Sequence, residues 1–287
     1  MITDVINSTA SLLSKNGVDE AQLISEYAMS AVLGIPRLRL AEKGNKSLLS
    51  TQRNTFLQMS ERLAAHEPLQ YVLGETEFMG YTFKTDRRAL IPRSETEELV
   101  DLILNTSSVW ELPHPRITDV GTGTGCIAIT LTLTHPNIRC VAIDISEECI
   151  DLARENATLH NIDSIEWVRA NLLESCTPDS TDVIVSNPPY IDTDNIQTLD
   201  NNVRNYEPLR ALDGGERGLT IISKLTQQAH PALKSGGWLF LEIGDDQGDA
   251  VNEILTHAGF SEIKIHRDMA GRDRIAAARK REATGNV

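Results

Sequence analysis

Ile117-Thr118-Asp119-Val120-Gly121-Thr122-Gly123-Thr124-Gly125-Cys126-Ile127-Ala128 reads as a short apolar strand that turns through three glycines into a helix. Glycine has no Cβ, so the backbone at 121, 123 and 125 is free to take positive φ and to approach a ligand closely. The helix that starts near Cys126 leaves its first amide groups without partners, pointing toward whatever the loop holds. A dinucleotide-binding loop places a pyrophosphate there and needs G-x-G-x-x-G. Here the third glycine comes one residue early, as G-x-G-x-G. Taken alone, such a loop is also an ordinary tight strand-to-helix turn.

About twenty residues beyond the loop, Asp144 ends the next apolar run, where a carboxylate accepts hydrogen bonds from both hydroxyls of a ribose. That spacing fits either NAD or S-adenosylmethionine. A third strand end carries Asn187-Pro188-Pro189-Tyr190, after Val183-Ile184-Val185. The Asn187 carbonyl can accept one N–H of a substrate. Pro188 and Pro189 have no N–H and a fixed φ, which keeps the carbonyl between them out of a ladder and open to a second N–H. Tyr190 offers a flat face to an amide or a base. Two acceptors gripping both hydrogens would orient a weakly nucleophilic nitrogen without a strong base or a metal. The plain alternative for this tetrapeptide is a turn that ends a strand.

The rest of the chain supplies the scaffold. Strands are expected near 117–120, 139–144, 165–169, 182–186 and 237–243, with helices near 125–134, 146–160, 217–233 and 247–258. That alternation predicts an α/β fold with a mainly parallel sheet covered on both faces. Glu262–His266 and Arg274–Ala278, joined through Gly271, suit a hairpin at the sheet edge. Before residue 70 the spacing is helical. Ile6, Thr9, Leu12 and Leu13 stop at Asn16-Gly17; Leu23, Ile24, Tyr27, Ala28, Ala31 and Val32 stop at Gly34-Ile35-Pro36; Phe56, Met59 and Leu63 share a face of a third helix over 51–66. Aromatic and β-branched residues from Tyr71 to Phe83, with Gly74 and Gly80, read as a hairpin. The expected domains are a helical bundle over 1–70, a hairpin linker over 71–85 and an α/β domain over 86–287. Ala283 to Val287 is expected to fray.

A chain of 287 residues that is 40% hydrophobic can bury two cores. Its net charge of −14 opposes a large phosphate-binding surface, so no direct DNA binding is expected. Residues 1–85 hold 8 basic and 9 acidic residues and the remainder 19 and 32, which puts the acidity in the α/β part. RNA is disfavoured less strongly, since a local basic patch can still exist; Arg37, Arg39, Lys43 and Lys46 in the helical part read as positions for meeting a protein substrate or as ordinary surface charge. No apolar stretch is long enough to span a bilayer, and Met1-Ile2-Thr3-Asp4 does not open a signal peptide; no membrane association and a cytoplasmic location are expected. Cys126, Cys140, Cys149 and Cys176 show no paired spacing and read as reduced thiols. The seven histidines show no metal-ligand spacing and read as solvated or capping residues, so no metal is expected. Trp110, Trp167 and Trp238 read as packing residues.

These motifs together resemble the glutamine methyltransferases that modify peptide chain release factors, the PrmC/HemK type. The resemblance spans almost the whole chain. His66-Glu67-Pro68-Leu69-Gln70-Tyr71-Val72-Leu73-Gly74 is similar to the family's interdomain segment, and Leu90-Ile91-Pro92-Arg93-Ser94-Glu95-Thr96-Glu97 to the entry of its catalytic domain. Tyr206-Glu207-Pro208 with Ala211-Leu212, and Leu241-Glu242-Ile243-Gly244 with Gln247, follow in family order. The resemblance implies a Rossmann-like class I S-adenosylmethionine-dependent methyltransferase sheet behind a small N-terminal helical domain that recognises substrate. It also implies that Gly121, Thr122, Gly123, Thr124, Gly125 and Asp144, with Asn171, Leu172 and Asn187, hold S-adenosylmethionine. Asn187, Pro188, Pro189 and Tyr190 would bind the substrate glutamine, with Asn187, Pro188 and Tyr190 serving catalysis.

The implied target is the glutamine of the Gly-Gly-Gln loop in bacterial release factors 1 and 2. Two positions depart from the family pattern: Ser94 replaces a usual proline, and Asn171-Leu172 stands where many members carry Asp and an aromatic residue near the adenine. Leu172 offers an apolar contact where an aromatic ring would stack, so weaker cofactor affinity is expected. Asn-Pro-Pro-Tyr also occurs in amino methyltransferases acting on adenine or guanine of RNA or DNA. A methyltransferase-like module without catalysis is the remaining alternative.

Overall fold

The structure, a computed structural model, describes residues 1–282. The expectation for Ala283 to Val287 lies outside the described residues. The chain forms two compact units: Met1–Glu75 with Asp200–Tyr206, and Thr76–Leu199 with the residues from Glu207 onward.

In the first unit α1 (Ile2–Lys15), α2 (Ala21–Leu33), α3 (Leu40–Lys43), α4 (Ser50–Ala64) and α5 (Leu69–Leu73) surround a core of Leu13, Ala28, Met29, Phe56 and Leu63. The helices stand where the spacing put them, but two faces are rotated. Leu12 and Tyr27 are exposed, and the buried stripes run through Ile2, Ile6, Thr9 and Leu13 and through Ser25, Ala28 and Met29. A correction concerns 71–73. Tyr71, Val72 and Leu73 belong to α5, which begins after Pro68 and stops at Gly74 with φ 80°. Proline before a helix and a left-handed glycine after it outweigh the β-propensity of Tyr and Val over so short a stretch. Tyr206 joins this unit through its hydroxyl, which donates to the Ala65 carbonyl at 2.6 Å.

The hairpin proper is β1 (Glu75–Phe78) and β2 (Tyr81–Lys84). The second unit continues with α6 (Ser94–Leu104), α7 (Ser107–Trp110), β3 (Arg116–Val120), α8 (Cys126–Thr134), β4 (Arg139–Asp144), α9 (Glu147–Leu159), β5 (Glu166–Arg169), β6 (Thr181–Ser186) and β7 (Ile191–Asp192). After α10 (Asn201–Arg204), in the first unit, come β8 (Asp213–Gly215), α11 (Thr220–Ala232), β9 (Leu233–Glu242), α12 (Gly248–His257), β10 (Phe260–Arg267) and β11 (Asp273–Lys280). The sheet order is β10-β11-β9-β6-β3-β4-β5, with β9, β6, β3, β4 and β5 parallel and β10–β11 an antiparallel hairpin at one edge.

Alternation along each strand sends residues to two cores. Ile117, Val183, Val185 and Phe240 pack with α6 and α8, where Leu99, Val100, Ile103 and Ile129 are buried. Val120, Ile184, Leu239 and Leu241 pack with α11 and α12 through Ile222, Leu225, Val251 and Leu255. Both faces are therefore apolar, as a covered parallel sheet requires. The sheet bears out the expected fold class. α6 was not anticipated, although Thr96, Leu99, Val100 and Ile103 carry helical spacing and are buried. β9 begins earlier than expected because its pairing with β6 shifts between Thr181 and Val183, so Trp238 lies within the strand.

Candidate active site

Register alone assembles the site. Val120 pairs with Ile143 on one side and with Ser186 on the other, and Ser186 pairs with Leu241. The next residue of each strand therefore falls in one row: Asp144, Gly121, Asn187 and Glu242. That row lies at the carboxyl ends of parallel strands, where the order reverses and open α/β sheets bind ligands. A cavity of about 670 Å³ opens there. Asn187, Asp144, and Gly121 through Thr124 all line it, as do Asn171, Leu172, Ile91, Arg93 and Thr96.

The glycine turn is fixed from both sides. Gly121 and Thr122 donate their N–H groups to the Ile143 carbonyl at 2.8 and 3.0 Å, which draws the loop over the end of β4. All three glycines have positive φ, 74°, 55° and 80°. At Gly125 a Cβ would also lie 3.0 Å from Ala153 Cβ and from Ile129 Cδ1, so that glycine serves packing of the loop onto α9. It does not line the cavity. Below the loop, Asp119 is fully buried, accepting from Thr122 Oγ1 at 2.6 Å and Ala128 N at 3.3 Å, while its Oδ1 has no partner. Burial pushes its carboxyl up to about 7.

Asp144 accepts the Gly123 N–H at 3.0 Å on Oδ2 and the Ser146 N–H at 2.9 Å on Oδ1. Each oxygen keeps a second lone pair. Asn171 donates Nδ2 to Glu174 at 2.8 Å, which leaves its carbonyl oxygen as the acceptor available to an exocyclic amine. Leu172 beside it has φ 52°, an uncommon value for a branched side chain, and it packs on the second core.

Asn187 is oriented by a chain of hydrogen bonds. Its Nδ2 donates to Thr96 Oγ1 at 2.9 Å; Thr96 donates to Glu242 Oε2 at 2.6 Å; Tyr190 donates its hydroxyl to Glu242 Oε1 at 3.1 Å. Thr96 has one hydrogen and gives it to the carboxylate, so only a donor can meet its lone pair. That fixes Nδ2 toward Thr96 and turns Oδ1 the other way. Burial pushes Glu242 up to about 7 and raises Tyr190 above the usual phenol range. Behind the turn, Gln247 donates Nε2 to the carbonyls of Tyr190 and Arg217 at 2.9 and 3.0 Å and accepts the Gly244 N–H at 2.9 Å. Gly218 presses on the same turn; a Cβ there would overlap the Tyr190 carbonyl oxygen.

The residues singled out in the sequence thus divide. Gly121, Thr122, Gly123, Thr124, Asp144, Asn171, Leu172, Asn187 and Pro189 line one cavity; Gly125, Pro188 and Tyr190 do not. Thr96, Glu242 and Gln247 build the turn, yet their roles were not read from the sequence. A signal existed: Glu242 is an acidic residue directly after Leu239-Phe240-Leu241 and the last residue of a buried strand. Arg93 also faces the cavity and donates to Glu207 at 2.5 Å; the Glu207 side chain is 1% exposed and its Oε2 has no partner. Burial outweighs Arg93 and raises the Glu207 carboxyl.

His135 and His160 are the C-caps of α8 and α9, as their places at helix ends suggested, and they also pack. His135 stacks on Trp110 at 3.7 Å, His160 meets Thr82 O at 2.8 Å and the Phe83 ring, and His230 packs edge-on against Phe260. Among the described residues no cluster of side chains fits a metal. All four cysteines are free, with Cys126, Cys140 and Cys149 buried.

Comparison with known proteins identifies the assembly. Residues 4–74 match the PrmC N-terminal domain and residues 100–205 the Methyltransferase small domain. A methyltransferase crystal structure from Pyrococcus furiosus, 18% identical, shares the fold with a TM-score of 0.53 over 81% of this chain and 100% of that one. The release factor glutamine methyltransferase of Geobacter sulfurreducens is 36% identical over 97% of this chain and 96% of its own. That of Thermodesulfovibrio yellowstonii is 37% identical over 87% of this chain and 89% of its own. With such identity over nearly its full length, the chain belongs to the release factor glutamine methyltransferase family.

Proposed function

We propose that the protein methylates the side-chain amide nitrogen of the glutamine in the Gly-Gly-Gln loop of release factors 1 and 2. The methyl donor is S-adenosylmethionine, which supplies a sulfonium methyl as electrophile. The residues present fit it. A glycine turn with positive φ admits close approach, Asp144 keeps two lone pairs for ribose hydroxyls, and Asn171 keeps a carbonyl oxygen for the adenine amine.

The observation that carries the reading is the free Oδ1 of Asn187, held by Thr96 and lining the same cavity as Gly121 to Thr124. An acceptor there takes one hydrogen of a primary amide; the Pro188 carbonyl, next along the turn but outside the cavity lining, is assigned the second for a substrate that reaches past that lining. The amide nitrogen gives up planarity and uses its lone pair for the new N–C bond as the sulfonium sulfur regains its pair. One of its two protons is then released to water. Asn187 and Pro188 position and polarise; neither must carry the proton. Tyr190 closes the turn from behind through Glu242. The first unit, for which a single glutamine is too small a target, is the natural element for recognising the protein substrate. No helix among the described residues is long and apolar enough to cross a membrane.

Incubation with methyl-labelled S-adenosylmethionine and a release factor, followed by peptide mass spectrometry, tests this. One methyl on the glutamine of the Gly-Gly-Gln loop is expected. Label on ribosomal RNA, or none on either substrate, would overturn it.

A further inference from the structure

The network beneath Asn187 does more than support it. Asn187, Thr96, Glu242 and Tyr190 come from a strand end, the first turn of α6, the next strand end and the turn itself, yet they close on one buried carboxylate. Thr96 and Glu242 are both almost wholly buried. A carboxylate that accepts from two hydroxyls has used each hydroxyl's only hydrogen. Everything upstream is then oriented: Thr96 presents a lone pair, Asn187 must answer with its amide N–H, and its oxygen faces the cavity.

We propose that Thr96 and Glu242 are positioning residues that set the polarity of the Asn187 clamp, so that the site accepts a carboxamide and rejects the isosteric carboxylate. This rests on the glutamine reading above. With Oδ1 outward, the cavity offers an acceptor, which an NH2 group satisfies and a glutamate side chain repels. With the amide reversed, the preference inverts. A site built to hydrogen-bond one partner rejects its isostere because buried polar groups would be left unpaired.

The charge state of Glu242 controls the polarity. Ionised, it only accepts. Protonated, it can donate to Thr96 Oγ1, which frees the threonine hydrogen to turn toward Asn187 and removes the bias. The groups facing Glu242 are the Thr96 and Tyr190 hydroxyls and the Arg274 guanidinium, which favour its charged form, Glu95, which opposes it, and the Cys126 thiol. Burial outweighs them and pushes the carboxyl up. Turnover should therefore rise with pH as Glu242 ionises, although a glutamine amide does not itself titrate there.

The test compares wild type, Thr96→Val, Thr96→Ser and Glu242→Gln on a release factor, measuring kcat, the pH profile and separately the affinity for S-adenosylhomocysteine. A second release factor carrying glutamate at the target position serves as competitor. Thr96→Val is expected to lower kcat by about 10- to 100-fold with ligand affinity within about threefold. It should also bind the glutamate-bearing factor more tightly relative to the glutamine-bearing one. Thr96→Ser, which keeps the hydroxyl, should restore kcat to within about threefold of wild type. Glu242→Gln should lose the acid limb of the kcat profile. If Thr96→Val fails to fold, the serine variant and the Glu242→Gln profile decide. Wild-type kcat in Thr96→Val, a serine variant that folds but is as impaired as the valine, or an unchanged acid limb in Glu242→Gln would overturn the proposal. A wild-type enzyme that leaves the glutamine unmodified would instead overturn the function proposed above.

Discussion

Asp144 Oδ2 accepts the Gly123 N–H at 3.0 Å, a bond between the end of β4 and the middle of the glycine turn. The carboxylate expected to hold the ribose is thus the same group that shapes the loop beside it. Its other oxygen starts α9 through Ser146. Binding and loop geometry are therefore coupled at one side chain.

Replacing Asp144 by alanine removes both functions at once. Charge-assisted hydrogen bonds of this kind are worth about 1.5–3 kcal/mol each, so donor affinity should fall by at least about tenfold. Asp144→Asn keeps one acceptor and should fall between wild type and alanine. Calorimetric titration with S-adenosylhomocysteine measures both; an alanine variant that binds like wild type would remove Asp144 from the site.

Asn187→Ala acts on the other side of the cavity. It deletes the oriented acceptor but touches neither the glycine turn nor Asp144. Methyl transfer should fall by about 10² or more, as for loss of a preorganised polar group in a closed site, while donor affinity stays within about threefold. A variant that still turns over at the wild-type rate would eliminate the clamp.

How much of this was legible follows from register. Strand ends are visible in sequence because apolar runs stop abruptly, and Val120, Asp144 and Ser186 each close such a run. Rows between strands are not visible, since no local pattern says that Leu241 sits beside Ser186 and so puts Glu242 beside Asn187. Thr96 is harder still: it reaches Asn187 from 91 positions away, on a helix whose apolar spacing was overlooked. The hairpin start was misplaced for the opposite reason, because propensity at Tyr71 and Val72 spoke for a strand while Pro68 and Gly74 bracketed a helical turn. Tyr190 was chosen for its ring, and its hydroxyl decided where the ring went.

A prediction on stability concerns Asn156, fully buried in α9. Its Oδ1 accepts Lys84 N at 2.7 Å, and its Nδ2 donates to Lys84 O at 3.0 Å and to Thr124 O at 2.9 Å. One amide therefore ties the hairpin to the glycine turn. Asn156→Ala leaves three backbone groups unpaired and should cost about 2–4 kcal/mol, lowering the melting temperature by several degrees. Asn156→Asp keeps the acceptor but places a charge against two carbonyls, and should cost no less. Thermal unfolding of both variants checks this; an alanine variant as stable as wild type would show that water replaces the side chain.

The last prediction is the pH dependence of stability, where Asp119 sets the sign. Its carboxyl rises from an ordinary value of 3.8 to about 7, first because it is buried, with Thr122 and Ala128 opposing the rise and Asp144 adding to it. Between those two values the folded chain binds more protons than the unfolded chain. The unfolding free energy therefore falls as pH rises through the window, and levels off above about 7. Glu242, also pushed up to about 7, adds to the same slope. At the acid end the slope reverses, because Asp86, held below its usual range by Arg88, and Glu155, likewise lowered by Arg88, lose their stabilisation on protonation. Maximum stability should thus lie on the weakly acidic side of neutrality. Asp119→Asn keeps an acceptor for Thr122 and cannot ionise. It should flatten the decline between about pH 4 and about pH 7 by on the order of 2 kcal/mol. Trp110, Trp167 and Trp238 all lie in the α/β unit and report its urea unfolding by fluorescence. Parallel pH profiles for wild type and Asp119→Asn would mean that the buried carboxyl is charged throughout the range, stabilised by the Thr122 hydroxyl and the Ala128 N–H.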